Sequence, residues 1–192
     1  MNPVLQSLRH DHRAMEEVLR VLAQECALLH RAERPDYDLI AETLDWLAAF
    51  RAEHLAPRAA AVLRLMRARG ADPALLDRIA AEGAAAAGSL QTLAALFGEI
   101  RNEQRVLRED FDAAAAGYIA QERRRMALET DALVPAAMAK LAPQDWAELQ
   151  VALGEARRRP HRGRLEERLE AQHDAILEVA RDDRAARRTG AP

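Results

Sequence analysis

The sequence predicts an all-α protein, and both its composition and its hydrophobic spacing point to that class. The chain has 192 residues, of which 49% are hydrophobic and 31% are charged, while aromatic residues make up only 4%. Alanine, leucine, arginine and glutamate are abundant and favour helices, whereas the β-branched and aromatic residues that favour strands are scarce. We therefore expect an antiparallel up-and-down four-helix bundle with a short extra helix and a C-terminal helix.

The first helix has the most regular pattern. Asn2 as cap and Pro3 in the first turn are favoured start signals. Apolar residues and one histidine then alternate in steps of three and four: Leu5, Leu8, His12, Met15, Leu19, Leu22, Cys26 and Leu29. This heptad spacing predicts that His12 faces the bundle interior. Cys26, the only cysteine, lies on the same stripe and is expected to be a buried apolar residue.

Turn signals divide the rest of the chain into further helices. The breaks are clusters of proline, glycine, aspartate or asparagine at 34–36, 70–73, 98–102 and 142–143. Between them we predict a second helix ending near Arg69, a third with its apolar stripe from Leu76 to Ile100, and a fourth over 103–140. Pro57 and Pro135 lie late in the second and fourth helices and should kink or loosen them.

Three parts are predicted along the chain. Residues 1–142 form the bundle, residues 143–182 form a helical extension packed on it, and residues 183–192 form a flexible tail. The extension contains a short helix around Trp146, a basic linker over 157–164, and a last amphipathic helix.

The charge and hydropathy of the chain argue against several classes of partner. The formal net charge is −3, which provides no overall attraction to nucleic acid or to an anionic membrane. The longest uncharged run, 83–98, is shorter than a membrane span needs, and no signal peptide is recognisable. We expect a soluble cytoplasmic protein that can form homo-oligomers. An accessory role on nucleic acid, through the arginine clusters at 123–125 and 157–164, is a weaker alternative.

Several segments together resemble the hemerythrin-like (HHE cation-binding) family. They are Leu5-Gln6-Ser7-Leu8-Arg9-His10-Asp11-His12-Arg13-Ala14-Met15 in the first helix, the turn 33–39, the stretch 118–135, the segment 140–146 and the C-terminal 169–176. The resemblance extends over nearly the whole chain and depends on the order and spacing of the segments. It implies a four-helix bundle that holds two iron ions, with roles in oxygen sensing, iron handling or stress response.

The family's ligand pattern is a histidine on the first and third helices and His-x-x-x-Glu on the second and fourth. His12 matches the position on the first helix. On the second helix, the alignment that matches the proline places Leu55 and Ala59 at the ligand positions. A shift of one residue recovers His54 but puts Arg58 where the glutamate belongs.

The third and fourth helices also depart from the pattern. Glu82-Gly83 stands where a Glu-His pair is expected, and Arg125 replaces the histidine of the fourth helix, whereas Glu129 keeps the glutamate. The remaining metal candidates are therefore His12, His54 and Glu129.

Arg125 suggests what replaces the metal ions. Because a lone buried carboxylate is costly and a paired one is tolerated, we predict a core ion pair between Arg125 and Glu129, with His12 as a third member. In the alternative, the Arg125 side chain extends along its helix to solvent. A core pair predicts that Arg125→His destabilises the protein.

These residues favour a bundle that has lost di-iron binding. We expect no enzyme activity and no cofactor, and a role in binding a small molecule or another protein whose identity the residues do not specify. The alternative is an iron-binding protein for oxygen or iron sensing or storage, with an altered or mononuclear site. The other histidines, His10, His30, His161 and His173, are expected to be solvated or scattered.

Overall fold

A computed structural model of the protein describes residues 2–31, 33–102, 106, 108–158 and 160–189. These residues form helices joined by short connections, and no strand occurs among them. The all-α prediction is therefore confirmed. Within the same residues, no helix combines the length and the apolar character that crossing a membrane requires.

The described residues form six continuous helices. They are α1 (Pro3–His30), α2 (37–68), α3 (Pro73–Arg101), α4 (108–140), α5 (Pro143–Arg158) and α6 (Pro160–Thr189). Residues 103–105 and 107, at the predicted start of the fourth helix, lie outside the described part of the chain.

Short polar side chains cap the first three helices, as the turn signals predict. The side chain of Asn2 accepts a hydrogen bond from the backbone N–H of Val4 at 2.9 Å. Asp36 and Asp72 cap α2 and α3 in the same way. Gly70, between these helices, has a φ of 66°, which favours glycine.

The prolines late in α2 and α4 each follow a π-helical turn. The turn in α2 is Arg51–Leu55, just before Pro57, and the turn in α4 is Glu129–Leu133, just before Pro135. Each turn inserts one extra residue, so it loosens the helix and changes which side chains face the interior. The first residue of each turn belongs to the charged site described below.

The apolar core is divided into two clusters. The larger lies among α1, α2, α3, α4 and α6, with fully buried members such as Met15, Trp46 and Phe111. The smaller includes Val4 and Met66 together with residues of α3, α4 and α5. In the space between the two clusters, α1, α2 and α4 contribute charged side chains, so a polar layer crosses the interior.

The C-terminal part is more helical than the sequence predicts. Because α5 reaches Arg158 and α6 starts at Pro160, the predicted basic linker over 157–164 lies largely in helices and that prediction is wrong. The side chains of 155–163 lie outside the described residues. The helix α6 also continues through 183–189, where the sequence predicts a flexible tail. Its Leu169 and Ile176 lie in the larger core cluster, so α6 is part of the main core.

Candidate functional site

The polar layer contains a buried group of five side chains, which we call the central network: His12, Arg51, Glu122, Arg125 and Glu129. Arg51 and Glu129 begin the two π turns, and Glu122 and Arg125 lie one to two turns before Glu129 on α4. The residues of α4 therefore share one helix face.

Glu122 is at the centre of the network. It is completely buried, and the guanidinium of Arg125 donates to its Oε1 from Nε at 2.9 Å and from Nη2 at 2.7 Å. The Nη1 of Arg51 donates to the other oxygen at 2.8 Å. Two guanidinium groups thus neutralise and hydrogen-bond one carboxylate that would otherwise be prohibitively costly to bury.

Glu129 extends the network towards α1. The Nη1 of Arg125 donates to its Oε1, and the Nε2 of His12 donates to its Oε2 at 2.9 Å. On the other side of the imidazole, the hydroxyl of Thr130 lies 3.3 Å from Nδ1. Both oxygens of Glu129 and both ring nitrogens of His12 are therefore occupied by protein contacts.

The surroundings of Glu129 and Arg125 favour the ionised forms of these two side chains. Burial by itself raises the pKa of Glu129, but the hydrogen bond from His12 and the charge of Arg125 outweigh burial and lower this pKa below its ordinary value. Burial also opposes the charge of Arg125, yet Glu129 and Glu122 together raise the pKa of Arg125 above its usual range. Arg51 and Arg125 balance the two carboxylates, so the network is neutral when His12 is neutral.

Arg125 is only 4% exposed, so its side chain lies in the core and does not extend to solvent. The structure thus brings together Arg125, Glu129 and His12, the three residues that the sequence analysis groups. It also shows that Arg125 is not available to a basic surface patch at 123–125. Arg123, in the same cluster, contacts the surface carboxylate of Glu16.

Asp11, His54, Arg58 and Glu166 form a second charged cluster beside the central network. Arg58 donates to Asp11 from Nη1, and its Nη2 lies 2.8 Å from His54 Nε2. The same ring nitrogen lies 3.1 Å from Asp11 Oδ1, and the other lies 3.6 Å from Glu166 Oε1. The Nε2 atom accepts from Arg58 when the ring proton is on Nδ1, and it donates to Asp11 when Nε2 itself carries a proton.

The three metal candidates do not come together. His12 contacts Glu129 in the central network, whereas His54 belongs to the second charged cluster. Among the described residues, no three His, Cys, Asp or Glu side chains are placed to hold a metal ion. Leu55 and Ala59, at the other possible ligand positions of α2, line a mainly apolar pocket of about 40 Å³ beside the central network.

Gly83, which the sequence analysis aligns with a ligand position on the third helix, contributes its backbone to the site. Its carbonyl accepts a hydrogen bond from Nη2 of Arg51. A Cβ at this position would meet no atom within 4 Å, so there is open space on the side-chain side of this residue.

Tyr118 is one turn before Glu122 and has a fully buried hydroxyl with no hydrogen-bond partner in the described part of the chain. Burial, reinforced by the charge of Glu122, raises its pKa, so the phenol stays protonated. The hydroxyl is an unused donor close to the central network.

Sequence reasoning missed five of the charged side chains in the two clusters: Asp11, Arg51, Arg58, Glu122 and Glu166. A local signal existed only for Glu122, which precedes Arg125 by three residues and shares its helix face. The other four form their ion pairs between helices, and the local spacing of residues along the chain does not predict such pairs.

The remaining histidines and the cysteine have ordinary surroundings, with one exception. Cys26 is buried, and burial raises the pKa of its thiol to about 12. His30 is exposed and lies 2.9 Å from Asp112, and His10 is exposed. His161 has its side chain outside the described residues. His173 is the exception, because it contacts Glu17 at 3.3 Å and packs near Trp46.

Comparisons of the chain with models of protein families, with curated proteins and with solved structures found no match.

Proposed function

We propose that this protein is a non-catalytic binding protein built on an all-α scaffold, and that it recognises a small molecule or another protein. More particularly, we propose that residues 1–142 form a hemerythrin-like antiparallel four-helix bundle. In this bundle the central network replaces the family's di-iron site.

The observation that supports the proposal is the position of Arg125. Its guanidinium is buried between Glu122 and Glu129, with Arg51 on the other side of Glu122. A metal ion bound at Glu129 would have to displace Arg125 or face its positive charge at short range, where repulsion is strong.

The donor atoms support the same proposal. Glu129 and His12 already satisfy each other, and Gly83 offers no side-chain donor. The expected positions on α2 hold either Leu55 and Ala59, which offer none, or, one residue earlier, His54 and Arg58, which both contact Asp11. Two iron ions need several nitrogen and carboxylate ligands in their first coordination sphere. The residues present do not fit a di-iron centre.

The test is metal content by elemental analysis, on protein expressed in iron-supplemented medium and purified without chelators. We expect far less than one iron or zinc ion per chain in protein whose circular dichroism is strongly helical. About two irons per chain would contradict the proposal, and about one would favour the alternative of a mononuclear site. Arg125→His restores the histidine of the ligand pattern, so metal binding would be regained first in this variant. Arg123→His, on the exposed face of α4, is its matched control.

A further inference from the structure

The pocket of about 40 Å³ beside the central network lies between the start of α1, the later parts of α2 and α4, and α5. Aliphatic side chains form most of its wall, among them Leu8 of α1, Val62 of α2 and Leu133 of α4. The half-buried Trp146 of α5 forms another part of the wall. We call this space the apolar pocket.

Both π turns of the molecule reach the apolar pocket. Leu55 is the last residue of the π turn in α2, and Glu129 and Leu133 are the first and last residues of the π turn in α4. Single π turns within α-helices are rare and occur frequently at functional sites. Two of them, in different helices, border the same pocket. This observation is independent of the pocket's lining, and it indicates a binding site.

The charged groups beside the apolar pocket already have partners in the protein. Arg125 and Glu129 are buried and form an ion pair with each other, and Arg58 is buried against Asp11. These groups contribute only a small part of the surface that faces the pocket. A charged or strongly polar ligand would lose its water there without gaining a partner. The lining therefore favours an uncharged, apolar ligand.

The volume of the apolar pocket limits the size of that ligand. Sites for drug-sized molecules have volumes of roughly 300–1,000 Å³. An apolar cavity of about 150 Å³ stays dry and binds benzene or xenon. At about 40 Å³, the apolar pocket is too small for a nucleotide, a lipid or a peptide segment, and it suits a molecule smaller than benzene.

We infer that the apolar pocket binds one small, uncharged, apolar molecule with fewer non-hydrogen atoms than benzene, such as a light hydrocarbon. Burial of the ligand's surface against the aliphatic wall provides the binding free energy, because apolar surface is transferred out of water. The inference rests on the proposed role as a non-catalytic binding protein, for which it names the class of small molecule.

The two tryptophans of the chain provide a local readout. Trp146 lines the apolar pocket, whereas Trp46 is fully buried in the larger core cluster and donates its indole N–H to the carbonyl of Leu169 at 2.9 Å. A ligand in the pocket should therefore change the surroundings of the Trp146 indole and leave those of Trp46 unchanged. In a ¹H–¹⁵N NMR spectrum, Trp146 reports occupation of the pocket and Trp46 is the internal reference.

Titration of the full chain with xenon, followed by the indole N–H signals, tests the inference. Xenon is an uncharged, apolar sphere that enters cavities of this kind. We expect a saturable shift of the Trp146 signal and little change at Trp46, and propane, a light hydrocarbon, should shift the same signal. Methanol, a small polar molecule, should leave both signals unchanged at the same concentration.

Three outcomes of the titration would overturn the inference. Absence of a saturable Trp146 shift with xenon or with propane would mean that the pocket does not hold such molecules. Similar shifts of Trp146 and Trp46 would indicate a general effect of the dissolved gas on the protein. A Trp146 shift with methanol as large as that with xenon would contradict an apolar site.

Ala59→Leu places a larger side chain in the apolar pocket and should abolish the xenon-dependent shift of Trp146. Ala60→Leu is the matched control, because it makes the same change at the neighbouring exposed position. An equal response to xenon in the two variants would contradict the assigned pocket. The titration of the unmodified chain can overturn the inference by itself, so the test does not depend on the folding of either variant.

Metal analysis judges the proposed function separately. About two irons per chain would contradict the proposed function whatever the response to xenon. Absence of xenon and propane binding in metal-free, helical protein would contradict only the class of ligand.

Discussion

The two charged clusters of this protein use the same residue types, yet they differ in their access to water. The central network is closed, with Glu122 at 0% exposure and Arg125 at 4%. The second charged cluster starts from the buried Asp11 and ends at Glu166, which is 31% exposed and lines a cleft between α1, α2 and α6. The charges of the closed cluster contact only one another, whereas water reaches one end of the open cluster.

This difference has an energetic side as well. Breaking a closed ion network leaves a charge without water or partner, whereas water replaces a lost partner at an open site. Four substitutions, ordered by the size of their expected effect, test the contrast.

Arg125→Met should have the largest effect. It leaves Glu122 with only Arg51 as a partner and Glu129 with only His12. Because both carboxylates are buried, the free energy of unfolding should fall by about 3–5 kcal/mol. Urea titration followed by circular dichroism measures this. The control is Arg123→Met, which removes an exposed pair with Glu16 and should cost about 1 kcal/mol or less. Similar losses in the two variants would mean that the central network is open to solvent.

Asp11→Asn should come next. Arg58 and His54 both contact this buried carboxylate, and loss of its charge should cost about 1.5–3 kcal/mol, the usual size for a charged hydrogen bond. Asp77→Asn removes an exposed partner of Arg67 and is the matched control. A loss no larger than that of the control would mean that water reaches Asp11 and replaces its lost partners.

The pH dependence of stability should change in Glu129→Gln. Because the folded pKa of Glu129 lies below its ordinary value of 4.5, the ionised carboxylate stabilises the protein above that pH. This contribution disappears as the pH falls through the lowered folded pKa. The stability difference between wild type and variant should therefore be full near neutral pH and shrink in acid. A stability difference that grows as the pH falls would mean that folding raises the pKa of Glu129 and does not lower it.

Glu166→Gln should have the smallest effect, below about 1 kcal/mol, because water reaches this carboxylate. Glu167→Gln, on the neighbouring exposed position, is the reference, and both are measured by urea titration. If Glu166→Gln cost as much as Asp11→Asn, the two ends of the second charged cluster would be equally closed and the contrast would fail.

The grouping of Arg125, Glu129 and His12 was accessible to sequence reasoning for two different reasons. Arg125 and Glu129 are four residues apart, and helix geometry alone places such a pair on one face. His12 lies on the heptad stripe of α1, which predicts an inward position but not a partner. The choice between a core pair and an exposed Arg125 required the packing of the other helices.

The register of α2 illustrates a limit of sequence reasoning. Two alignments that differ by one residue place either His54 or Leu55 at a ligand position. The π turn Arg51–Leu55 lies at this point and inserts one residue into the helical repeat. An ungapped pattern with the ordinary period cannot represent such an insertion.

The sequence by itself determined the all-α class, the capped starts of the first three helices, the apolar stripe of α1 and the i,i+4 relation of Arg125 to Glu129. These features depend on local propensity and on the period of one helix. Only the tertiary structure decided the pairing of Arg51 with Glu122, the pairing of Asp11 with Arg58 and the cleft between α1, α2 and α6. Such contacts depend on the axial register and rotation of helices distant in the chain, and no local spacing encodes either quantity.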